Sequence, residues 1–293
     1  MLFLFKVLAR WPLWLMHGLG AGLGWLTYAV SPSYRKRLVT HATWAGVSKR
    51  QTRGAIAEAG RMLMELPYLW LRPPESSILT KVQWRGADLL EAAHANQQGV
   101  VILTPHMGCF EIAAQAIAER YLNQQRHITV LYRPARKPWL RDLVGTARTR
   151  PGLYAAPANL VGVRQLLRAV RDGQMAGLLP DQVPPEGMGV WAPFFGRPAY
   201  TMTLAARLAH HPGAALLLLW CERLPWGRGY VIHVSKPTEP MPGPQAPQAE
   251  SAAFINRCME RLILQCPQQY LWGYNRYKSG RDTEPSSVSV TKD

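Results

Sequence analysis

Cysteine is scarce in this chain, and the four present, Cys109, Cys221, Cys258 and Cys266, fall into no CxxC pair and no metal-ligand spacing. That excludes a disulfide framework, implies no metal, and suits reduced thiols in a cytosolic compartment. Acidic residues are also few, 18 against 34 basic ones, which leaves a net charge of +16. Such a surplus asks for an anionic partner: nucleic acid, an acidic protein or anionic lipid. No aromatic-basic RNA or DNA motif is present, so nucleic acid is the weakest of the three. There is no internal repeat, and no small-residue cleavage site precedes Arg35, which argues against a cleaved signal peptide. What is present is a globular composition, 48% hydrophobic and 18% charged. At 293 residues the chain has room for one catalytic domain with an appendage.

The appendage is at the N-terminus. Trp11 to Val30 is about long enough to cross a bilayer core, and His17 is its one ionisable interruption. Trp11, Trp14, Trp25 and Tyr28 cluster towards its ends, as aromatic residues do at membrane interfaces. Gly18/Gly22 and Gly20/Gly24 both match a small-xxx-small spacing that permits close helix contact. Lys6 and Arg10 precede the segment, and Arg35, Lys36, Arg37, Lys49 and Arg50 follow it, a bias that places the remainder in the cytoplasm. Residues 1–32 are expected to be a membrane anchor, transmembrane or interfacial. A buried helix of a soluble fold is the alternative.

Residues 33–72 carry apolar positions near the 3.6-residue period, through Ala55, Ala59, Met62, Leu63 and Leu66, and Pro73-Pro74 ends them. An alternation begins at Val82: a short strand, a helix over 87–95, and a strand ending at His106. Further strands are expected over 128–132, 175–179, 214–220 and 230–234, with a basic amphipathic helix over 160–171 and a last helix over 253–264. Alternating strands and helices predict an α/β fold with a mostly parallel central sheet flanked by helices. The chain divides into the anchor, a catalytic domain over 33–278, and a polar tail over 279–293 that is expected to fray.

The densest chemical signal is Val100-Val-Ile-Leu-Thr-Pro-His106-Met-Gly-Cys-Phe-Glu111. Four branched apolar residues read as a buried strand, and Ile112 onward reads as the helix that follows. In open α/β sheets ligands collect at the carboxyl ends of strands, where His106 would sit. Residues five apart are about 140° apart on a helix, so His106 must lie in the loop and fold back towards Glu111. A histidine there, with a carboxylate to fix its tautomer, is a candidate general base for a hydroxyl. A surface ion pair or a helix-start arrangement is the plainer account of the same residues.

His106-x4-Glu111 after a strand resembles the signature of the lysophospholipid acyltransferase superfamily. Tyr132-Arg-Pro134, Lys137-Pro138, Arg148-Thr-Arg150, Leu179-Pro-Asp-Gln182 and Pro193-Phe-Phe-Gly196 with Thr201 follow in order, and Pro267 to Lys278 closes the chain. Together these look like the late lauroyl/myristoyl-type acyltransferases of lipid A biosynthesis, a resemblance that covers nearly the whole chain. It implies a bacterial inner-membrane enzyme facing the cytoplasm. Such an enzyme moves a fatty acyl chain from acyl-carrier protein to a hydroxyl of a phosphorylated glycolipid, with no cofactor beyond the acyl-carrier thioester. Carried over, His106 would be the general base and Glu111 its orienting partner, while Arg148, or Arg150 two residues on, and Asp181 match further functional positions.

The residue chemistry is compatible with that implication. A thioester needs neither metal nor covalent intermediate if a base deprotonates the incoming hydroxyl. Backbone amides near Met107 to Cys109 are candidate oxyanion donors. Cys109 is a candidate nucleophile or a packed thiol. Arg133, Arg136, Lys137, Arg141, Arg148, Arg150, Arg164 and Arg168 crowd the expected site. They would serve an acidic carrier protein and a phosphorylated lipid, or form a basic surface facing an anionic membrane. Asp181 would hold an arginine, bind a sugar hydroxyl or simply form a turn. Phe194-Phe195-Gly196 would line an acyl groove or pack a core. Trp272, Tyr274, Arg276, Tyr277 and Lys278 would form an interfacial patch or close the fold. Two rival functions stand beside this one: the same chemistry on a lysophospholipid, an aminolipid or another glycolipid, and a non-catalytic basic membrane-binding protein.

Overall fold

The computed structural model describes residues 2–73, 76–121, 125–132 and 150–278. Five helices come first: α1 (Leu2–Leu8), α2 (Leu13–Val30), α3 (Pro32–Trp44), α4 (Lys49–Met64) and α5 (Leu66–Leu71). Their breaks are written locally. Ser31 accepts from the Tyr34 amide with Pro32 at the first helical position, and Ser48 with Gln51 forms a reciprocal capping box. The α/β body follows as β1 (Val82–Arg85), α6 (Asp88–Ala95), β2 (Val100–Leu103), α7 (Phe110–Tyr121), β3 (Ile128–Tyr132), β4 (Leu153–Pro157), α8 (Leu160–Arg171) and β5 (Met175–Leu178). After it come a hairpin, β6 (Gly189–Phe194) and β7 (Arg197–Met202), then α9 (Leu204–Ala209), β8 (Ala215–Arg223), β9 (Tyr230–Ser235) and α10 (Gln248–Gln265).

Seven strands form one sheet in the order β1-β9-β8-β2-β5-β3-β4. Strands β8, β2, β5, β3 and β4 run parallel; β9 is antiparallel to β8, and β1 is parallel to β9. The central pair, β2 and β5, is buried along its whole length. Val101 and Leu103 face a core shared with α3, α4, α8 and α10, while Val100 and Ile102 face one shared with α6 and α7. That two-residue alternation, with apolar side chains on both sides, is why the run in β2 is continuous rather than amphipathic. The mixed α/β fold with a mostly parallel sheet flanked by helices is therefore as expected from the sequence. The unexpected elements are β4, the β6–β7 hairpin and α9.

The N-terminal expectation needs correction. No helix among the described residues is long and apolar enough to cross a membrane. Helix α2 buries Leu13, Met16, His17, Gly20 and Gly24 against the body of the protein. Gly20 and Gly24 cross α4 at Gly60 so closely that a Cβ on Gly60 would lie 1.9 Å from the Gly20 carbonyl oxygen. The Gly20/Gly24 spacing is thus spent on a contact within the chain. Gly18 and Gly22 have nothing within 4 Å of a would-be Cβ. Four glycines and a histidine dilute the segment's hydrophobicity, and one face of it is packed against protein. The outer face still carries Trp14, Leu19, Leu23, Trp25, Leu26 and Val30 exposed. The polar tail, 279–293, lies outside the described residues.

Candidate functional site

Register builds the site. Leu103 of β2 is paired with Leu178 of β5, and the ladder continues through the Thr104 amide to the Leu178 carbonyl at 3.1 Å. His106 and Asp181 each stand three residues beyond that pair, so two parallel strands deliver them side by side at the carboxyl end of the sheet. Asp181 then takes hold of His106 twice: Oδ1 lies 2.7 Å from ring Nδ1, and Oδ2 accepts the His106 backbone N–H at 3.0 Å. A carboxylate only accepts, so Nδ1 carries a proton, and in the neutral ring Nε2 holds the free lone pair. Phe110 packs edge-on against the imidazole with centroids 5.0 Å apart.

Asp181 is 1% exposed. Burial alone would raise its pKa, but the charge and two N–H groups of His106, with Arg276 nearby, draw it below the ordinary aspartate value. The Tyr270 hydroxyl also interacts with Asp181, and burial beside that carboxylate pushes the phenol well up. Arg276 is itself buried, donating to the Tyr200 carbonyl at 2.6 Å and to Thr201 at 2.7 Å. Trp272 is buried too, and Tyr274 accepts the Val183 amide at 3.1 Å. The last block of the chain therefore closes the fold behind the site instead of presenting an interfacial patch.

The loop between His106 and α7 is clamped on both sides. The Met107 amide goes to the Pro105 carbonyl at 2.7 Å, Gly108 to the Gln269 carbonyl at 2.9 Å, and Cys109 to the Cys221 carbonyl at 2.8 Å. These three amides are committed, so the expectation that they serve as oxyanion donors fails. Gly108 has φ +58, and a Cβ there would lie 1.8 Å from the Cys221 oxygen, so only glycine fits. Cys109 is fully buried, and burial with Glu65 close by pushes its thiol well up. It is a packed thiol rather than a nucleophile.

Glu111 occupies the first turn of α7 and receives the Trp70 indole N–H at 3.5 Å. One and two turns on, Gln115 and Glu119 meet the chain after α5: Gln115 bonds the Leu69 carbonyl and Arg72, and Glu119 accepts from Ile78 and Ser77. Arg150 reaches the same place, donating to the Arg72 carbonyl at 2.9 Å and the Leu69 carbonyl at 3.4 Å. Burial, then the neighbouring Arg72 charge, lowers the Arg150 pKa. Arg164 and Arg168 lie on α8, Arg164 on its exposed face. Arg133, Arg136, Lys137, Arg141 and Arg148 lie outside the described residues. Phe194 is core, and Phe195-Gly196 is the two-residue turn of the β6–β7 hairpin, with φ +46 and +69.

Sequence reasoning missed Arg72, Glu65, Arg223 and Gln269. The usable signal was a charge inside an apolar run: Glu65 within Met62 to Leu71, and Arg223 at the end of a nine-residue strand buried through its centre. It also left open what Asp181 holds.

Residues 44–279 match the model of the bacterial lipid A biosynthesis acyltransferase family. The lipid A biosynthesis lauroyltransferase of Escherichia coli (strain K12) is 25% identical over 284 residues, covering 94% of this chain and 89% of that protein. The palmitoleoyltransferase of the same strain is 25% identical over 232 residues, 79% of this chain and 72% of the relative. The myristoyltransferase is 24% identical over 216 residues, 74% and 64% respectively. With most of its length matched by the family model, the chain belongs to the bacterial lipid A biosynthesis acyltransferases.

Proposed function

We propose that the protein transfers a fatty acyl chain from an acyl-carrier-protein thioester to a hydroxyl of a lipid A precursor, with His106 as general base. The observation that carries this is the 2.7 Å contact between His106 Nδ1 and buried Asp181, which leaves Nε2 basic at the carboxyl end of the sheet. Nε2 takes the acceptor hydroxyl proton as the oxygen attacks the thioester carbonyl. The tetrahedral intermediate then collapses, the C–S bond breaks, and the carrier thiolate leaves with the proton from the imidazolium. Asp181 orients the ring and stabilises its charged form. Glu111, five residues on, is the second carboxylate of the pair and adds to that stabilisation. The oxyanion donor is the first-turn amide of α7 at Phe110, at the helix N-terminus. The reaction uses no cofactor beyond the thioester.

Anionic groups on both substrates match the basic surface. Arg150 and Arg72, with guanidinium nitrogens that are buried without hydrogen-bond partners, are placed to hold an acceptor phosphate. Exposed Arg164 faces the acidic carrier, and Arg133 and Arg148 remain in the substrate-binding set. The apolar outer face of α2, bordered by Lys6, Arg10, Arg35 and Lys36, seats the enzyme on the cytoplasmic surface of the inner membrane as an interfacial helix. Acyl transfer in detergent, with carrier thioesters of several chain lengths and a lipid A precursor, tests this directly. A single-acyl mass increase with wild type that vanishes in His106→Ala is expected. Turnover on a lysophospholipid or aminolipid alone would keep the base and discard the acceptor. Full turnover by His106→Ala would discard the base.

A further inference from the structure

Beneath the catalytic loop lies a charged cluster that the acyl-transfer chemistry does not use. Arg223, at the end of β8, is buried and has nearly every donor engaged. Its Nε and Nη2 grip both oxygens of Glu65, Nε at 2.9 Å, and Nη1 reaches Glu58 at 2.8 Å. The same Nη2 donates to the Gly108 carbonyl at 2.8 Å. The Arg223 backbone is held in turn by the Gln269 side chain, amide to Oε1 at 2.9 Å and carbonyl from Nε2 at 2.8 Å, while the Gln269 carbonyl accepts the Gly108 N–H. Glu65, 1% exposed, also receives the Tyr230 hydroxyl at 3.2 Å and lies 3.4 Å from His17 of α2.

We infer that Arg223, seated by Glu65, is a positioning residue for His106: it sets the orientation of the peptide at Gly108, two residues after the base and two before the start of α7. The inference rests on His106 being the base. A buried ion pair is a poor source of stability, because desolvation offsets most of its attraction and an apolar pair of like volume commonly does as well. What apolar side chains cannot do is hold a carbonyl oxygen at a fixed place. Gly108 is held from both ends, its carbonyl by the Arg223 guanidinium and its amide by the Gln269 carbonyl, and the Gln269 side chain grips the Arg223 backbone in turn. A tilt of that peptide turns His106 and the first-turn amides of α7 together. Misplacement of such groups by about 1 Å costs roughly a hundredfold in rate.

The test separates geometry from stability by replacing the pair together. Glu65→Leu with Arg223→Met removes both ions and keeps the volume. A cooperatively folded double variant is expected, with kcat reduced at least about tenfold and KM for both substrates within about twofold. Arg223→Lys serves if the double variant does not fold; one ammonium satisfies Glu65 and releases Gly108, and the same split is expected. The downfield proton resonance of His106 Nδ1–H, identified by its loss in His106→Ala, reads the loop without turnover. It is expected to move in either variant. A folded variant with kcat within about threefold of wild type and an unmoved resonance would overturn the inference. A silent wild type would instead overturn the assignment of substrate, with the resonance still deciding the role of Arg223.

Discussion

Replacing Asp181 by asparagine changes one charge and one acceptor at nearly constant volume, and the structure fixes what must follow. The carboxylate accepts two N–H groups of His106, from the ring at 2.7 Å and from the backbone at 3.0 Å. An amide has one oxygen to offer, so one N–H of His106 must face an NH2 group. If the oxygen stays with the backbone amide, the NH2 demands that Nδ1 accept, and the imidazole proton moves to Nε2, where the base is needed. If it stays with the ring, the loop amide is repelled. In either case the imidazolium formed in the reaction loses its anion. Charges about 4 Å apart at an effective dielectric near 20 interact by about 4 kcal/mol. That corresponds to roughly a thousandfold in rate.

Steady-state acyl transfer with Asp181→Asn is therefore expected to show kcat reduced by roughly 10²–10⁴-fold with KM little changed, in protein whose thermal unfolding remains cooperative. Glu111→Gln, run beside it, separates the two carboxylates. A folded Asp181→Asn enzyme with kcat within about threefold of wild type would refute the orienting role and move it to Glu111.

Other expectations follow from single contacts. Gly60→Ala drives a Cβ to 1.9 Å from the Gly20 oxygen, so unfolding midpoints should fall as α2 and α4 separate, at a cost of roughly 1–3 kcal/mol. Gly22→Ala, with open space at its Cβ, should leave stability unchanged or raise it by about 0.5–1 kcal/mol. Cys109→Ala should retain acyl transfer, and wild type should show no trapped acyl-thioester at Cys109 by mass spectrometry; loss of activity in the variant with an adduct on wild type would restore the nucleophile reading. Arg164→Glu should raise KM for the carrier thioester at low salt and spare kcat, since an exposed charge acts on encounter. Glu65 carries a pH signature. Burial would raise its carboxyl, yet Arg223 and His17 hold it below the ordinary glutamate value. A depressed carboxyl contributes stability above its unfolded pKa and loses it as pH falls through the folded one. The destabilisation of Glu65→Gln relative to wild type, measured by urea unfolding, should therefore be largest near pH 7 and shrink below about pH 4. A gap that stays constant to pH 3 would contradict the ion pair.

Much of the body was legible because local signals agreed with tertiary need. Four branched residues at Val100 to Leu103 had to be a doubly covered strand, and 128–132 and 160–171 are observed as Ile128–Tyr132 and Leu160–Arg171. Strand β4, Leu-Tyr-Ala-Ala-Pro, was illegible for a physical reason: it is an edge strand ending in proline, with a weak apolar pattern that pairing with β3 rescues. The hairpin turn was hidden because it carries phenylalanine where asparagine or glycine usually accepts a positive φ. The N-terminal segment misled through its glycines, since the same spacing serves a membrane helix pair or an intramolecular crossing. Only the position of Gly60, 36 residues beyond Gly24, decides between them.

The hydrogen-bond partner of His106 was the least accessible feature, and the cause is register. A carboxylate five residues downstream is visible in a linear pattern; one 75 residues away is not. Asp181 reaches His106 because β2 and β5 are paired Leu103 to Leu178, and each residue stands three positions beyond that pair. A slip of two residues in that pairing would leave the two groups about 7 Å apart along the strand direction, beyond any hydrogen bond. The buried apolar faces of Val100 to Leu103 and Met175 to Leu178 thus specify the site as surely as the polar residues do. They hold the register that brings Asp181 onto His106 Nδ1, while Arg223 and Gln269 hold the loop that follows it.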